Sequence, residues 1–268
     1  GQSLTKLAYL NEEGDFNLIL LPTKSDFVES EKILESVKNG KKIFNFTGGK
    51  AFKLYKKFSN EFNSNLLDEF ESNAKGIEAL YRLYKKKDLP NSLIINIGTG
   101  TSILLKDNSI NHLGGSALGG GFFMGLIRLL YNLKDFKKAL DMAESGDRYS
   151  IDLKVSDIYE LEDNRVDSIF REFTASSLGK IGEFTSLDNI KREDLLNALI
   201  CIIGENIGII ANLYANNNNI KNIVFCGGFL RENNILKRIL SAICKMNKKK
   251  PIFLKNSEFC GAIGALLS

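Results

Sequence analysis

Asn96-Ile-Gly-Thr-Gly-Thr-Ser102 is the stretch whose reading decides the fold. It lies between two apolar runs, Ser92–Ile95 and Ile103–Leu105, each of which predicts a short buried strand. Two glycines and three hydroxyl side chains therefore occupy a tight turn between strands. Small residues let several backbone N–H groups converge and the hydroxyls add donors, so such a turn can wrap a phosphate. Being strand-turn-strand, it differs from the strand-to-helix phosphate loop of P-loop enzymes. Taken alone it also fits an ordinary hairpin turn, so its neighbours decide between the two.

Upstream, Leu4–Leu10 and Phe16–Leu21 read as a hairpin around Asn11–Gly14. Ser25 to Val37 predicts a helix, with Phe27, Val28, Ile33, Leu34 and Val37 at helical spacing. Lys42–Phe46 predicts a strand closed by Thr47-Gly48-Gly49, followed by a helix to about Phe58, a loop to Glu69 and a helix over 72–85. The Leu89-Pro90 break ends the first half. Downstream, strands are expected around 92–97, 101–106 and 109–113, then a glycine-rich loop over 114–121 and helices over 122–132 and 135–145. Residues 150–190 are polar and irregular, with short helices expected near 152–159 and 165–179. A long apolar helix over 191–216 precedes a strand (221–226), helix (231–246), strand (251–254) and terminal helix (259–267). Such alternation predicts an α/β fold.

Composition narrows the function class. A chain of 268 residues with 44% hydrophobic residues can bury a substantial core. Its 36 basic and 32 acidic residues leave a formal charge of +4, too small and too scattered to argue for nucleic acid. The four cysteines, Cys201, Cys226, Cys244 and Cys260, show no metal-ligand spacing and are expected to be buried thiols in a reducing compartment. No membrane span or secretory signal is expected, so a cytoplasmic location is the expectation.

Five glycine-bearing turns stand at expected strand ends or helix starts: Gly1-Gln2-Ser3, Thr47-Gly48-Gly49, residues 96–102, Gly114–Gly121 and Gly227-Gly228. Ligands of open α/β sheets gather at such loops. The order of these segments resembles the type II pantothenate kinases, ATP-dependent enzymes of the actin-like fold. The resemblance also takes in Asp68-Glu69-Phe70, the run Ala139–Tyr159 with Gly146-Asp147 and Asp152–Val155, and Gly261–Leu266. It implies a two-lobed actin-like (RNase H-like) α/β kinase, with a smaller lobe over 1–88, a larger one over 89–268, and ATP phosphates in a cleft between them. It further implies phosphorylation of pantothenate in coenzyme A biosynthesis, with ATP and magnesium as cofactors.

Carried over residue by residue, the resemblance makes Glu69 the catalytic carboxylate, with Asp68 and Glu71 as neighbouring acids. Ser3, Lys6, Gly98, Thr99, Gly100 and Thr101 would hold the β- and γ-phosphates. Gly120 and Gly121 would let nucleotide approach the backbone, Phe136 would stand near adenine, and Gly227 and Gly228 near the nucleoside. His112, Gly114 and Gly115 fall on the acceptor side, and the 191–216 helix would pair with its copy in a homodimer.

The chain departs from the family in two places. His112 stands where the family carries arginine, and a neutral imidazole cannot make the forked contact of a guanidinium. A strand ending in Ile-Asp-x-Gly, whose aspartate helps hold magnesium, would precede Gly1. The expectation is that this first strand belongs to the natural protein, and no metal ligand is assigned. Two other readings stay open: an actin-fold kinase acting on a sugar or amino sugar, and a non-catalytic nucleotide-binding relative.

Overall fold

Apolar runs on both sides of the 96–102 turn become the middle of a five-stranded sheet. The structure is a computed structural model, and it describes residues 4–23, 43–160, 162–165, 167–168, 171–184 and 186–268. The helix expected at Ser25–Val37 and the Gly1-Gln2-Ser3 turn, with Ser3, lie outside the described residues. The described elements run β1 (Leu4–Leu10), β2 (Phe16–Pro22), β3 (Phe44–Thr47), α1 (Ala51–Phe58), β4 (Ser64–Leu67) and α2 (Glu69–Lys85). They continue with β5 (Ser92–Ile97), β6 (Thr101–Lys106), β7 (Ile110–Ser116), α3 (Gly120–Tyr131) and α4 (Phe136–Glu144). The last are β8 (Leu153–Lys154), β9 (Thr174–Ser176), α5 (Arg192–Asn217), β10 (Asn222–Cys226), α6 (Asn234–Met246), β11 (Lys250–Phe253) and α7 (Cys260–Leu266).

The chain divides into two compact units, residues 1–121, 211–231 and 244–268 in one and 122–210 and 232–243 in the other. The first unit draws on both sides of residue 88, because α2 packs closely against α7 from the C-terminus. Its main sheet has the order β11-β10-β5-β6-β7. β10 is parallel to β5 and β11, whereas β6 is antiparallel to both its neighbours. Parallel strands are sandwiched, which is why β5 and β10 are nearly continuous apolar runs. β1 and β2 form an antiparallel pair, and β3 and β4 a parallel one. One face of the main sheet is sealed by α2 and α7, whose Ala74, Ile77, Leu80 and Ile263 join Ile94, Leu104 and Val224 in one core.

α2 and α7 meet at backbone distance. A Cβ on Gly76 would collide with the Cys260 carbonyl, and one on Gly264 with the Ser72 carbonyl. No side-chain rotation relieves a clash with main chain, so glycine is required there for steric reasons alone.

The second unit contains the polar stretch after residue 146, and buried charge organises it. Arg148, only 6% exposed, donates from Nε to Asp152 (2.6 Å) and from its two terminal nitrogens to Glu205 on α5 (2.6 and 3.2 Å). Asp152 also accepts from the Leu178 N–H at 2.7 Å. Asp194, in the first turn of α5, accepts from the Asp147 N–H (2.8 Å) and the Ser150 hydroxyl (2.7 Å). Burial would lower the pKa of the Arg148 guanidinium, but Glu205 and Asp152 outweigh it and hold the group charged. Beside this cluster, burial pushes the Cys201 thiol up to about 12. All four cysteines are buried free thiols.

α5 shows one face to the core through Leu196, Ile200, Ile203, Ile207 and Ala211, while Ile209 and Leu213 are 54% and 58% exposed in the single chain. Contrary to expectation, this helix is long and apolar enough to span a membrane by length and composition; 61% of its apolar window is buried, as in a core helix.

Two outcomes test this packing. Arg148→Met should cost about 3–5 kcal/mol in urea unfolding, because it leaves two carboxylates without their cation; a loss below about 1 kcal/mol would mean that water reaches them. Gly264→Ala should cost about 3 kcal/mol through overpacking against the α2 backbone, read as a lower denaturation midpoint at unchanged slope.

Candidate active site

The 96–102 turn is held by its carbonyls. Gly98 N–H donates to Gly100 O at 2.8 Å, closing the tip. Gly98 O and Thr99 O accept from the N–H groups of Gly120 and Gly121, both at 2.8 Å, so the loop is docked on the first turn of α3. A Cβ on Gly119 would stand 2.8 Å from Thr99 O, and one on Gly121 2.5 Å from the Thr99 methyl. The run of glycines before α3 thus admits the loop. The N–H groups of Gly120 and Gly121 are thus occupied by the loop itself. Thr101 is buried and its hydroxyl donates to Leu118 O at 2.8 Å, which anchors the same connection. Thr99 is exposed at the tip.

Because β5 and β10 are parallel neighbours, their carboxyl ends share one edge of the sheet, and Cys226 pairs with Asn96. Gly227 follows with φ +105°, and a Cβ there would stand 2.5 Å from both Asn96 Oδ1 and Ile97 O. Only glycine fits that backbone and that gap. Gly228 lies 3.8 Å, measured from the position of a Cβ, from Leu4 of β1. The 96–102 loop, the 119–121 glycines, the 227–228 turn and the start of β1 therefore converge.

A cavity of about 580 Å³ opens within the same unit. Lys6, Thr47, Gly48, Glu69, Asn73, Asn96 and Cys260 are among its walls. Asp68 caps α2, accepting from the N–H groups of Phe70 (2.8 Å) and Glu71 (2.9 Å), while its carbonyl accepts from the Thr47 hydroxyl at 3.2 Å. The end of β3 is thereby tied to the start of α2. Gly48 has φ +94°, and the Glu69 carboxylate oxygens lie 3.8 and 4.0 Å from where its Cβ would be. Among the three neighbouring acids, Asp68 is committed to the cap, and Glu69 is the one lining the cavity. Asn73, 4% exposed, accepts from the Cys260 thiol at 3.3 Å. Its Nδ2 is buried with no hydrogen-bond partner among the described residues.

On the far edge of the sheet, β7 is irregular where the acceptor-side residues lie. Leu104 faces His112 but Ile103 faces Gly114, so Leu113 is the extra residue of a bulge. The Tyr214 hydroxyl donates to Leu113 O at 3.2 Å. The exposed His112 ring stacks on Phe70 of α2, centroids 4.2 Å apart and planes 7° from parallel. Gly115 is pressed against the Thr101 carbonyl.

The first unit thus holds Lys6, Glu69, Gly98, Thr99, Gly100, Thr101, His112, Gly114, Gly115, Gly120, Gly121, Gly227 and Gly228, and the second holds Phe136 at the start of α4. Asn73, Phe70 and Tyr214 are additions from the structure. A hydrophobic-polar reading passes over Asn73 as one polar residue on a helix, whereas its place one turn after Glu69 could have marked it. For phosphate groups Lys6 is a fitting cation on the cavity wall, whereas the N–H groups of Gly98, Gly120 and Gly121 and the Thr101 hydroxyl are already bonded inside the protein. For magnesium, no group of three His, Cys, Asp or Glu side chains is present among the described residues, and no ligand is assigned.

The chain matches the Fumble family model over residues 2–268. It is 36% identical over 270 residues to a type II pantothenate kinase of Bacillus cereus (strain ATCC 10987 / NRS 248), covering 100% of this chain and 94% of that one. A type II pantothenate kinase of Oceanobacillus iheyensis is 34% identical over 273 residues, with 100% and 97% covered. Among solved structures, the activator of 2-hydroxyisocaproyl-CoA dehydratase from Clostridium difficile with bound ADPNP is similar with a TM-score of 0.62 at 16% identity, over 99% of this chain and 90% of that one. A ROK family protein from Streptococcus pneumoniae TIGR4, in complex with sucrose, gives a TM-score of 0.55 at 11% identity, over 100% and 94%. Those two likenesses establish the fold, that of the actin-like ATPases. By its family model and by full-length identity to proteins named type II pantothenate kinase, the chain belongs to the Fumble family of kinases.

Proposed function

We propose that the protein transfers the γ-phosphoryl group of ATP to the primary hydroxyl of pantothenate, the first step of coenzyme A biosynthesis. The observation that carries this reading is the placing of Glu69 and Lys6 on the walls of one cavity, in a chain of this family. Phosphoryl transfer asks little covalent chemistry of a protein; it needs alignment, charge neutralisation and an acceptor for the hydroxyl proton. Glu69 takes that proton, and Asp68, by capping α2, fixes the turn from which Glu69 projects. Lys6 and the 96–102 loop bind the phosphates, and Gly227 and Gly228 border the nucleoside. His112, Gly114 and Gly115 serve the acceptor. Magnesium, when bound, would neutralise phosphate charge.

The division into a smaller lobe to about residue 88 and a larger lobe beyond it belongs to the same proposal. So do a cytoplasmic location and a homodimer built on α5, whose exposed Ile209 and Leu213 offer an apolar seam.

Two variants of adjacent residues test the site. Glu69→Gln should lower kcat for ATP-dependent pantothenate phosphorylation at least about 100-fold, with an unchanged melting temperature. Asp68→Ala should instead cost about 1 kcal/mol of stability through the lost cap, seen in thermal or urea unfolding. Retained turnover in Glu69→Gln would remove the carboxylate from the mechanism. A panel of sugars and amino sugars as acceptors checks the substrate class, and turnover on those alone would overturn pantothenate. Ile209→Glu with Leu213→Glu should convert a dimer to monomer in analytical ultracentrifugation; a dimer that persists would place the interface elsewhere.

A further inference from the structure

The stack of Phe70 on His112 joins the start of α2 to the bulge of β7. Each partner is fixed from behind. Phe70 is half-buried, packs against the main core, and has its N–H on the Asp68 cap. His112 precedes the extra residue Leu113, whose carbonyl is held by Tyr214. Gly114, with φ +149°, comes so close to Tyr214 that a Cβ would lie 3.0 Å from its hydroxyl oxygen. The bulge is therefore clamped, and His112 is not free to follow a regular strand.

Parallel stacking covers one face of the imidazole and leaves its edge, with Nδ1 and Nε2, for in-plane hydrogen bonds. Phe70 is also the residue directly after Glu69. A displacement of the ring is thus carried to the helix turn that presents the proton acceptor.

We propose that Phe70 is a positioning residue for the reaction: its ring orients the His112 edge as the polar contact for the acceptor and ties that contact to the helix turn carrying Glu69. The inference rests on the pantothenate kinase reading. It differs from a plain packing role in what it predicts for the two substrates. A packing defect loosens the unit and disturbs ATP and acceptor alike, whereas a lost orienting contact falls on the acceptor side.

Steady-state kinetics on the full-length protein test it, with melting temperature recorded for each variant. Phe70→Ala should raise KM for pantothenate about tenfold and lower kcat several-fold, with KM for ATP within about twofold. Phe70→Tyr, which keeps the flat ring, should restore both to within about twofold. His112→Phe keeps the stack but offers no nitrogen, so kcat should hold while KM for pantothenate rises. Because the two rings act as a unit, Phe70→Ala with His112→Ala should be no worse than the worse single variant. Should Phe70→Ala fail to fold, Phe70→Leu removes the flat face at closer volume and gives the same reading. Equal effects on both KM values, no rescue by tyrosine, or additive single variants would overturn the proposal while leaving the kinase intact. A wild-type protein that does not phosphorylate pantothenate would sink the kinase reading, and this inference with it.

Discussion

The site depends on main chain meeting main chain. Carbonyls of Gly98 and Thr99 receive the first N–H groups of α3, and the glycines at 119–121 exist because a methyl group would keep the two segments apart. Helix starts carry unpaired donors that must find acceptors. Here a loop between two antiparallel strands supplies them, and the Thr101 hydroxyl adds a side-chain anchor to Leu118 O. What the loop leaves open is its tip, where Thr99 is exposed. A loop held by main chain is preorganised, and preorganisation is what electrostatic stabilisation of phosphoryl transfer requires.

Residues of similar type have been given separate work. Thr101 spends its hydroxyl on Leu118 O, inside the protein, while Thr99 faces out. Asp68 spends its carboxylate on the helix cap, while Glu69 lines the cavity beside Gly48. Neither distinction is a matter of residue chemistry; both follow from where one residue stands relative to the end of an element. At β7 the same logic is carried by an inserted residue, which changes where His112 sits without changing what it is.

Much of the fold is legible in the amino-acid order because its signals are local. The apolar runs of β5 and β10, the long α5 and the terminal α/β alternation all appear within a residue or three of their expected limits. β4 (Ser64–Leu67) falls in a stretch expected to be loop, since four residues without alternation signal a strand only through their parallel partner β3. The start of α2 at Glu69, three residues before its expected position, was marked by Asp68 as a cap. The stretch after Gly146 is the least legible. Its order comes from the ion pairs of Arg148 with Asp152 and Glu205 and from the hydrogen bonds that Asp194 accepts from Asp147 and Ser150, and periodicity does not detect polar pairing at that range. At the site, the glycines were visible as glycines, but whether each met a ligand or another backbone was not. Asn73 carries no motif, and Phe70 stood in the Asp68-Glu69-Phe70 segment with no role of its own.

The main sheet also sets a constraint on synthesis. β5, β6 and β7 are complete by residue 116, yet the strands that extend the sheet, β10 and β11, and the helix α7 that seals it lie beyond residue 220. A chain emerging from the ribosome therefore carries a half-finished sheet, with the Ile94 edge uncovered, through about a hundred residues of translation. Long-range pairing of this kind folds slowly and leaves strand edges open to other chains. Until β10, β11 and α7 have been made, β5 keeps an unpaired edge on which another strand can pair.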